Sequence, residues 1–162
     1  MSTAARTASP ALQLLLETGI WHRVYTYDHK VSDQGFGYEA AEKLQIAPER
    51  IYKTLLVESS ERELANAVVA VADMLNLKRL AAALGTKRVE MANPNVAQQK
   101  TGYVLGGISP LGQKTQLPIV VDASVEPHDT IWISGGRRGL SIEIRADDFL
   151  RITSATVADI SR

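Results

Sequence analysis

The sequence predicts an α+β fold around a largely antiparallel or mixed sheet, and three observations predict it. Apolar strand segments come in pairs separated by short polar or glycine-rich stretches, 51–58 with 67–72 and 130–134 with 140–144, as in hairpins. Three helical segments, at 9–19, 76–85 and 93–102, open on a capping residue and close on glycine. Strands and helices do not alternate strictly, which argues against a doubly wound parallel sheet.

Taken in order, residues 1–8 are small and polar and read as a flexible N-terminus. Ser9-Pro10 starts a helix: serine caps, and proline is tolerated at the first helical position because its missing N–H had no partner there. Leu12, Leu15 and Leu16 form one face, and Gly19 is the stop. Residues 21–27, with Trp21, Val24, Tyr25 and Tyr27, read as a strand. A loop follows over 28–37, with Gly35 and Gly37 flanking Phe36, and then a helix over 38–45. Ala47-Pro48-Glu49 is a turn, and 59–63 connects the strands at 51–58 and 67–72. Asn76 caps a helix closed by Gly85; Asn93-Pro94 repeats the Ser9-Pro10 signal and opens a helix ending at Gly102. Gly102–Gly112, with Pro110, is loop. Strands follow at 119–122, 130–134 and 140–144, the last two joined through Gly135-Gly136-Arg137-Arg138-Gly139, and 147–152 is a short final helix. No repeat, low-complexity run or linker interrupts the pattern, so one domain is expected over 9–162.

Composition narrows the function classes. The chain has 162 residues, 45% hydrophobic and 22% charged, the mix of a soluble globular protein. Its 18 Lys+Arg balance 18 Asp+Glu. A dedicated nucleic-acid binder carries a basic excess, because phosphate neutralisation dominates such binding. Any RNA contact must therefore come from a local patch, or from a partner that holds the RNA. With no cysteine, thiolate nucleophiles, disulfides and Cys-based metal sites are excluded. The first residues, Met1 to Arg6, lack the apolar core of a secretion signal. No apolar run approaches the roughly 18 residues of a membrane span.

Chemistry concentrates in three places. Lys53 lies in Ile51-Tyr52-Lys53-Thr54-Leu55-Leu56-Val57, where strand alternation puts it on one face with Ile51, Leu55 and Val57. An ammonium among apolar neighbours either reaches out to water or sits in a functional pocket. Gly106-Gly107-Ile108-Ser109-Pro110-Leu111-Gly112 allows the backbone to approach a ligand and present N–H groups to it, or is simply a tight connection. Ser134-Gly135-Gly136 leaves room at a strand end, or is only a turn. Gly107 to Thr115 imitates a phosphate-binding loop, but Gln113 displaces Lys114 from the required position and Pro118 blocks the helix that should follow. Leu111 stands where a nucleophile elbow needs its last glycine. His22, His29 and His128 show no metal-ligand spacing, and Arg137-Arg138 is a phosphate-binding pair or, as the default, an exposed charged turn. The residues alone thus offer a lysine, glycine loops and hydroxyls, with no nucleophile–base pair.

The blocks Tyr25–His29, Phe36–Ala41, Tyr52–Val57, Met74–Lys78, Lys87–Ala92, Thr101–Tyr103 with Gly106–Lys114, and Ser134–Ser141 stand in an order that resembles the YbaK/EbsC family. The resemblance covers roughly residues 9–160 and looks closest to the free-standing bacterial Cys-tRNA(Pro) deacylases. It implies a mixed α/β fold with a curved, barrel-like sheet, and cytoplasmic hydrolysis of mischarged Cys-tRNA(Pro). Aminoacylated tRNA(Pro) and prolyl-tRNA synthetase are the implied partners, with no DNA, membrane, cofactor or metal. Lys53 matches the family's essential lysine, with the implied role of orienting the terminal adenosine and ester. Gly106, with Gly107 and Ile108, matches the loop whose N–H groups hold the carbonyl oxygen. Tyr27, Phe36 and Thr54 match pocket-lining residues; Ser109, Ser134, Gly135 and Ser141 complete the implied substrate site. The resemblance also implies that the substrate's own thiol attacks the ester, which accounts for the missing nucleophile. Two alternatives stay open: a deacylase for another residue such as alanine on tRNA(Pro), and a non-catalytic tRNA- or synthetase-binding module.

Overall fold

The caps legible in the sequence act as helix boundaries. In the computed structural model, which describes residues 8–30 and 36–162 with the Phe36 side chain left aside, helix α1 spans Pro10–Thr18. Ser9 Oγ accepts from the Leu12 N–H at 3.2 Å, and Gly19 ends the helix at φ 69°. Helix α2 is Phe36–Leu44 and begins two residues before the predicted start at 38. Helix α3, Leu77–Leu84, is capped by Asn76 and closed by Gly85 at φ 73°; α4, Pro94–Thr101, is capped by Asn93 and closed by Gly102 at φ 81°. A side chain in that left-handed region costs roughly 1–2 kcal/mol, so glycine is the natural terminator. Helix α5 is Ala146–Thr153. The expected flexible segment 1–8 and the middle of the expected loop 28–37 lie mostly outside the described residues.

Among the described residues the strands form two sheets. Strands β1 (His22–Thr26), β6 (Thr130–Ser134) and β7 (Leu140–Arg145) make an antiparallel sheet in the order β1-β7-β6. The second sheet has the order β4-β2-β3-β5-β8. Its strands are β2 (Tyr52–Ser59), β3 (Leu64–Ala70), β4 (Val89–Met91), β5 (Ile119–Asp122) and β8 (Thr156–Ala158). Strands β2 and β3 form the predicted hairpin, while β3–β5 and β5–β8 are parallel, so the sheet is mixed. The two sheets touch through a bridge between Ile51 and Trp132 and do not close into a barrel. Strand β3 starts at Leu64 rather than at 67, because pairing with β2 continues up to the turn in which Arg62 takes φ 67°.

The main core lies between the small sheet, one face of the large sheet, α1 and α5. Leu15, Ile131, Ile133, Ile142, Ile144 and Phe149 are fully buried there, each contributing about 1.5–3 kcal/mol of transfer free energy. A second core, with Val57, Ala67, Val69, Leu80, Val120 and Ile160, packs α3 on the large sheet. The large sheet itself separates these cores, and the site lies at the open edge of β2.

Candidate active site

Strand β2 has two edges, and only one is fully paired. Strand β3 runs along the first, with Lys53 opposite Val69. On the second, β4 pairs only with Val57, Glu58 and Ser59; Ala92 N–H reaches Leu56 O, and at the other end Ile51 meets Trp132. Between these contacts residues 52–55 have no partner strand on that edge among the described residues. A cavity of about 350 Å³ lies here, lined by the consecutive residues Ile51 to Leu55. The sequence predicted that Lys53 shares a face with alternate residues only; both parities line the cavity because it opens on the strand's edge.

The remaining walls come from three directions. Tyr27 follows β1; Gly37, Tyr38 and Ala40 come from α2; Leu105, Gly106 and Ile108 come from the glycine loop. Ser134, Arg137 and Ser141 close the site from the β6–β7 hairpin. Thus Lys53, Gly106, Tyr27, Thr54, Ile108, Ser134 and Ser141, far apart in the chain, meet at one cavity of a size suited to a small ligand. The Phe36 side chain lies outside the described residues.

Gly107, Ser109 and Gly135 stand behind the walls and hold them in place. Ser109 is fully buried; its Oγ accepts from Leu111 N–H at 3.2 Å. Gly135 receives the Ser9 hydroxyl on its carbonyl, which fastens the start of α1 to the hairpin. Ser134 Oγ donates to Gly107 O at 3.0 Å and accepts from Gly136 N–H at 3.2 Å, so one hydroxyl clamps the glycine loop to the hairpin turn. A Cβ on Gly107 would stand 2.7 Å from Arg137 Cα, so this close approach requires glycine. Gly106 takes φ 83° for a different reason, the turn itself. Gly107 N–H is used by Val104 O at 3.0 Å. Among the described residues nothing accepts the N–H of Gly106 or Ile108, which leaves these two as donors for an oxyanion.

Electrostatically, Lys53 puts a cation in a poorly solvated place, while Arg137 is exposed at the rim. Burial pushes the Lys53 ammonium pKa down, and Asp73 nearby opposes this. Burial also raises the Tyr27 phenol, with smaller opposed effects from a Gly139 backbone hydrogen bond and the Glu39 charge. The Thr54 hydroxyl is buried with no protein partner among the described residues, so a ligand group there would recover its desolvation. The histidines stand apart from the cavity: His22 contacts Ile20 O, His29 contacts Glu39 at 2.9 Å, and His128 meets the Tyr52 ring edge-on. No group of three or more potential metal ligands gathers among the described residues.

Sequence reasoning missed Tyr38, Leu105 and Val71 as lining residues, and for Arg137 it set phosphate binding behind an exposed turn. Tyr38 and Leu105 are exposed apolar residues beside glycines, a combination that could have marked a pocket mouth. Val71 carried no signal, since its role is to pack against Gly37.

Comparison with known proteins places this geometry. The profile described as "Aminoacyl-tRNA editing domain" matches residues 38–152. The chain is 36% identical over 121 residues to EbsC of Enterococcus faecalis, by name a candidate Cys-tRNA(Pro)/Cys-tRNA(Cys) deacylase, covering 75% of this chain and 74% of that one. It is 29% identical over 97 residues to the Multifunctional Ser/Thr-tRNA deacylase ProXp-y of Escherichia coli K12, covering 59% of this chain and 58% of that one. A crystal structure described as a candidate trans-editing enzyme for prolyl tRNA synthetase superposes with a TM-score of 0.81 at 24% identity, covering 100% of this chain and 99% of that one. That likeness establishes the shared fold.

Proposed function

Because the chain belongs to the aminoacyl-tRNA editing domain family, we propose that it is a trans-editing deacylase that frees tRNA(Pro) from wrongly attached cysteine. The observation that carries this is the meeting of Lys53, the unengaged N–H groups of Gly106 and Ile108, and three small hydroxyls at one cavity. Among the described lining residues no side chain has the nucleophile–base geometry of a covalent hydrolase, and in this reading the attacking group is the substrate's own thiol. The cysteinyl sulfur forms a bond to its own ester carbonyl carbon, and negative charge develops on the carbonyl oxygen. Collapse breaks the bond to the ribose oxygen, which takes the proton given up by the thiol, and the cyclic thioester then hydrolyses in water.

The protein's share is orientation and charge stabilisation. Lys53 orients the terminal ribose and ester, while Gly106 and Ile108 N–H groups receive the oxyanion. Well-oriented intramolecular reactions gain roughly 7–11 kcal/mol, and one oxyanion donor is worth about 2.7–4 kcal/mol. Prolyl-tRNA synthetase, which makes the error, is the protein partner this reading implies. A second reading, removal of serine or threonine, draws on the relative named for that activity and on the Thr54, Ser134 and Ser141 hydroxyls, which suit a hydroxyl side chain. Deacylation of Cys-, Ser-, Ala- and Pro-tRNA(Pro) by the purified protein separates them. Loss of the cysteinyl ester alone supports the thiol-assisted reaction; loss of Ser-tRNA(Pro) at an equal rate overturns it.

A further inference from the structure

The charges of this chain balance in number but not in place. Residues 91–121 contain Lys100 and Lys114 and no Asp or Glu; residues 130–142 contain Arg137 and Arg138 and again no acid. The fold brings these two stretches together as one wall of the cavity. Lys114 N–H donates to Thr101 O and Thr115 N–H to Lys100 O at 2.9 and 3.0 Å, so both lysines stand at the neck of the glycine loop. At its far end the same loop meets the hairpin: Arg138 Nε donates to Leu105 O at 2.8 Å, and Gly107 lies against Arg137. All four cations are exposed. The opposite side is mixed in sign, since α2 carries Glu39, Glu42 and Lys43, and Asp73 lies near Lys53. An anionic strand entering the pocket is therefore drawn first to the acid-free loop wall.

We propose that this acid-free wall, Lys100 and Lys114 at the loop neck with Arg137 and Arg138 at the rim, is the track that holds the phosphate backbone of the tRNA acceptor strand. The inference rests on the reading of the substrate as an aminoacyl-tRNA. It locates the local patch that a chain of zero net charge needs in order to bind RNA by itself. Tyr38 and Leu105, exposed at the same mouth, give the terminal base apolar surface.

The test uses Lys100→Glu/Lys114→Glu, which alters two exposed side chains away from the cavity lining. Binding of uncharged tRNA is measured against salt concentration, and hydrolysis is compared on Cys-tRNA(Pro) and on cysteinyl-adenosine, which has no phosphate. The track predicts at least tenfold weaker tRNA binding and a log–log salt slope shallower by about 1.4–1.8, the value for two phosphate contacts. It also predicts a loss on Cys-tRNA(Pro) at least tenfold larger than any loss on cysteinyl-adenosine. Equal binding and slope in the two proteins, no tRNA binding by the wild type, or equal losses on both substrates overturns the track. Failure of the wild type to hydrolyse either ester overturns the deacylase reading instead, and the binding measurement still decides the track.

Discussion

Replacing Gly107 with alanine should damage the site through geometry alone. The added methyl would lie 2.7 Å from Arg137 Cα, 2.9 Å from Arg137 carbonyl carbon and 3.0 Å from Arg138 N. Ordinary contact begins near 3.4 Å, so the loop and hairpin must separate by about 0.7 Å, and neither side has a rotamer to change because both are backbone. Overpacking of this kind costs about 1–3 kcal/mol, which for a domain of this size lowers Tm by roughly 2–12 °C. The displacement falls between Gly106 and Ile108, the two proposed oxyanion donors, and stretches the Ser134–Gly107 hydrogen bond. A misplacement near 1 Å costs about 100-fold in rate, so kcat for Cys-tRNA(Pro) should drop by roughly 10- to 100-fold. Gly85→Ala is the control for a stability loss of similar size away from the site. Its strain has the opposite source: Gly85 has positive φ, 73°, which Gly107 does not, while an added Cβ there meets nothing within 4 Å, and it caps α3 away from the cavity. It should lose about 1–2 kcal/mol of stability and keep its rate. Single-turnover deacylation beside thermal melts decides: if Gly107→Ala matches Gly85→Ala in both, the glycine loop does not position the reaction.

Three further outcomes are expected. Lys53→Met should lower deacylation at least about 100-fold, on the scale of a lost transition-state donor, with Tm equal to or above wild type. Burial depresses the Lys53 pKa; the cost of its charged form is therefore present at neutral pH and relieved as pH rises through the folded-state value. Wild-type activity should accordingly fall at a pH below the ordinary lysine value of about 10.4, and melts and rate profiles between neutral and alkaline pH test both points. Gly106→Ala, forced to hold φ 83°, should cost about 1–2 kcal/mol and impair kcat more than KM in steady-state assays. For Asp122, burial opposes ionisation, but bonds from Ser124, Ile160 and Ser161 outweigh it and hold the carboxyl below its usual range. That stability is present above the unfolded value of about 3.9 and is lost as pH falls through the folded one. Asp122→Asn should thus cost about 1–3 kcal/mol at neutral pH, and denaturant titrations should show the gap to wild type closing in acid.

The sequence by itself determined where three helices begin and end and which residues stood out as candidates for chemistry. Ser9, Asn76 and Asn93 acted as caps, and Gly19, Gly85 and Gly102 as stops, because a cap is a contact between residues only two or three apart. Lys53, Gly106 and the hairpin serines were legible as unusual residues in apolar or glycine-rich settings. Strands β4 and β8 were not legible: each has three residues, too few for alternation, and exists only because β2 and β5 offer an edge. The cavity was equally invisible, because it is the interval on β2 between the end of β4 and the bridge to Trp132. Likewise, the supporting positions of Gly107, Ser109 and Gly135 follow from contacts with residues far along the chain, such as Arg137 and Ser9. Local hydrogen bonding and sterics write caps and turns into neighbouring residues, whereas an unpaired strand edge arises only when distant strands have taken their places.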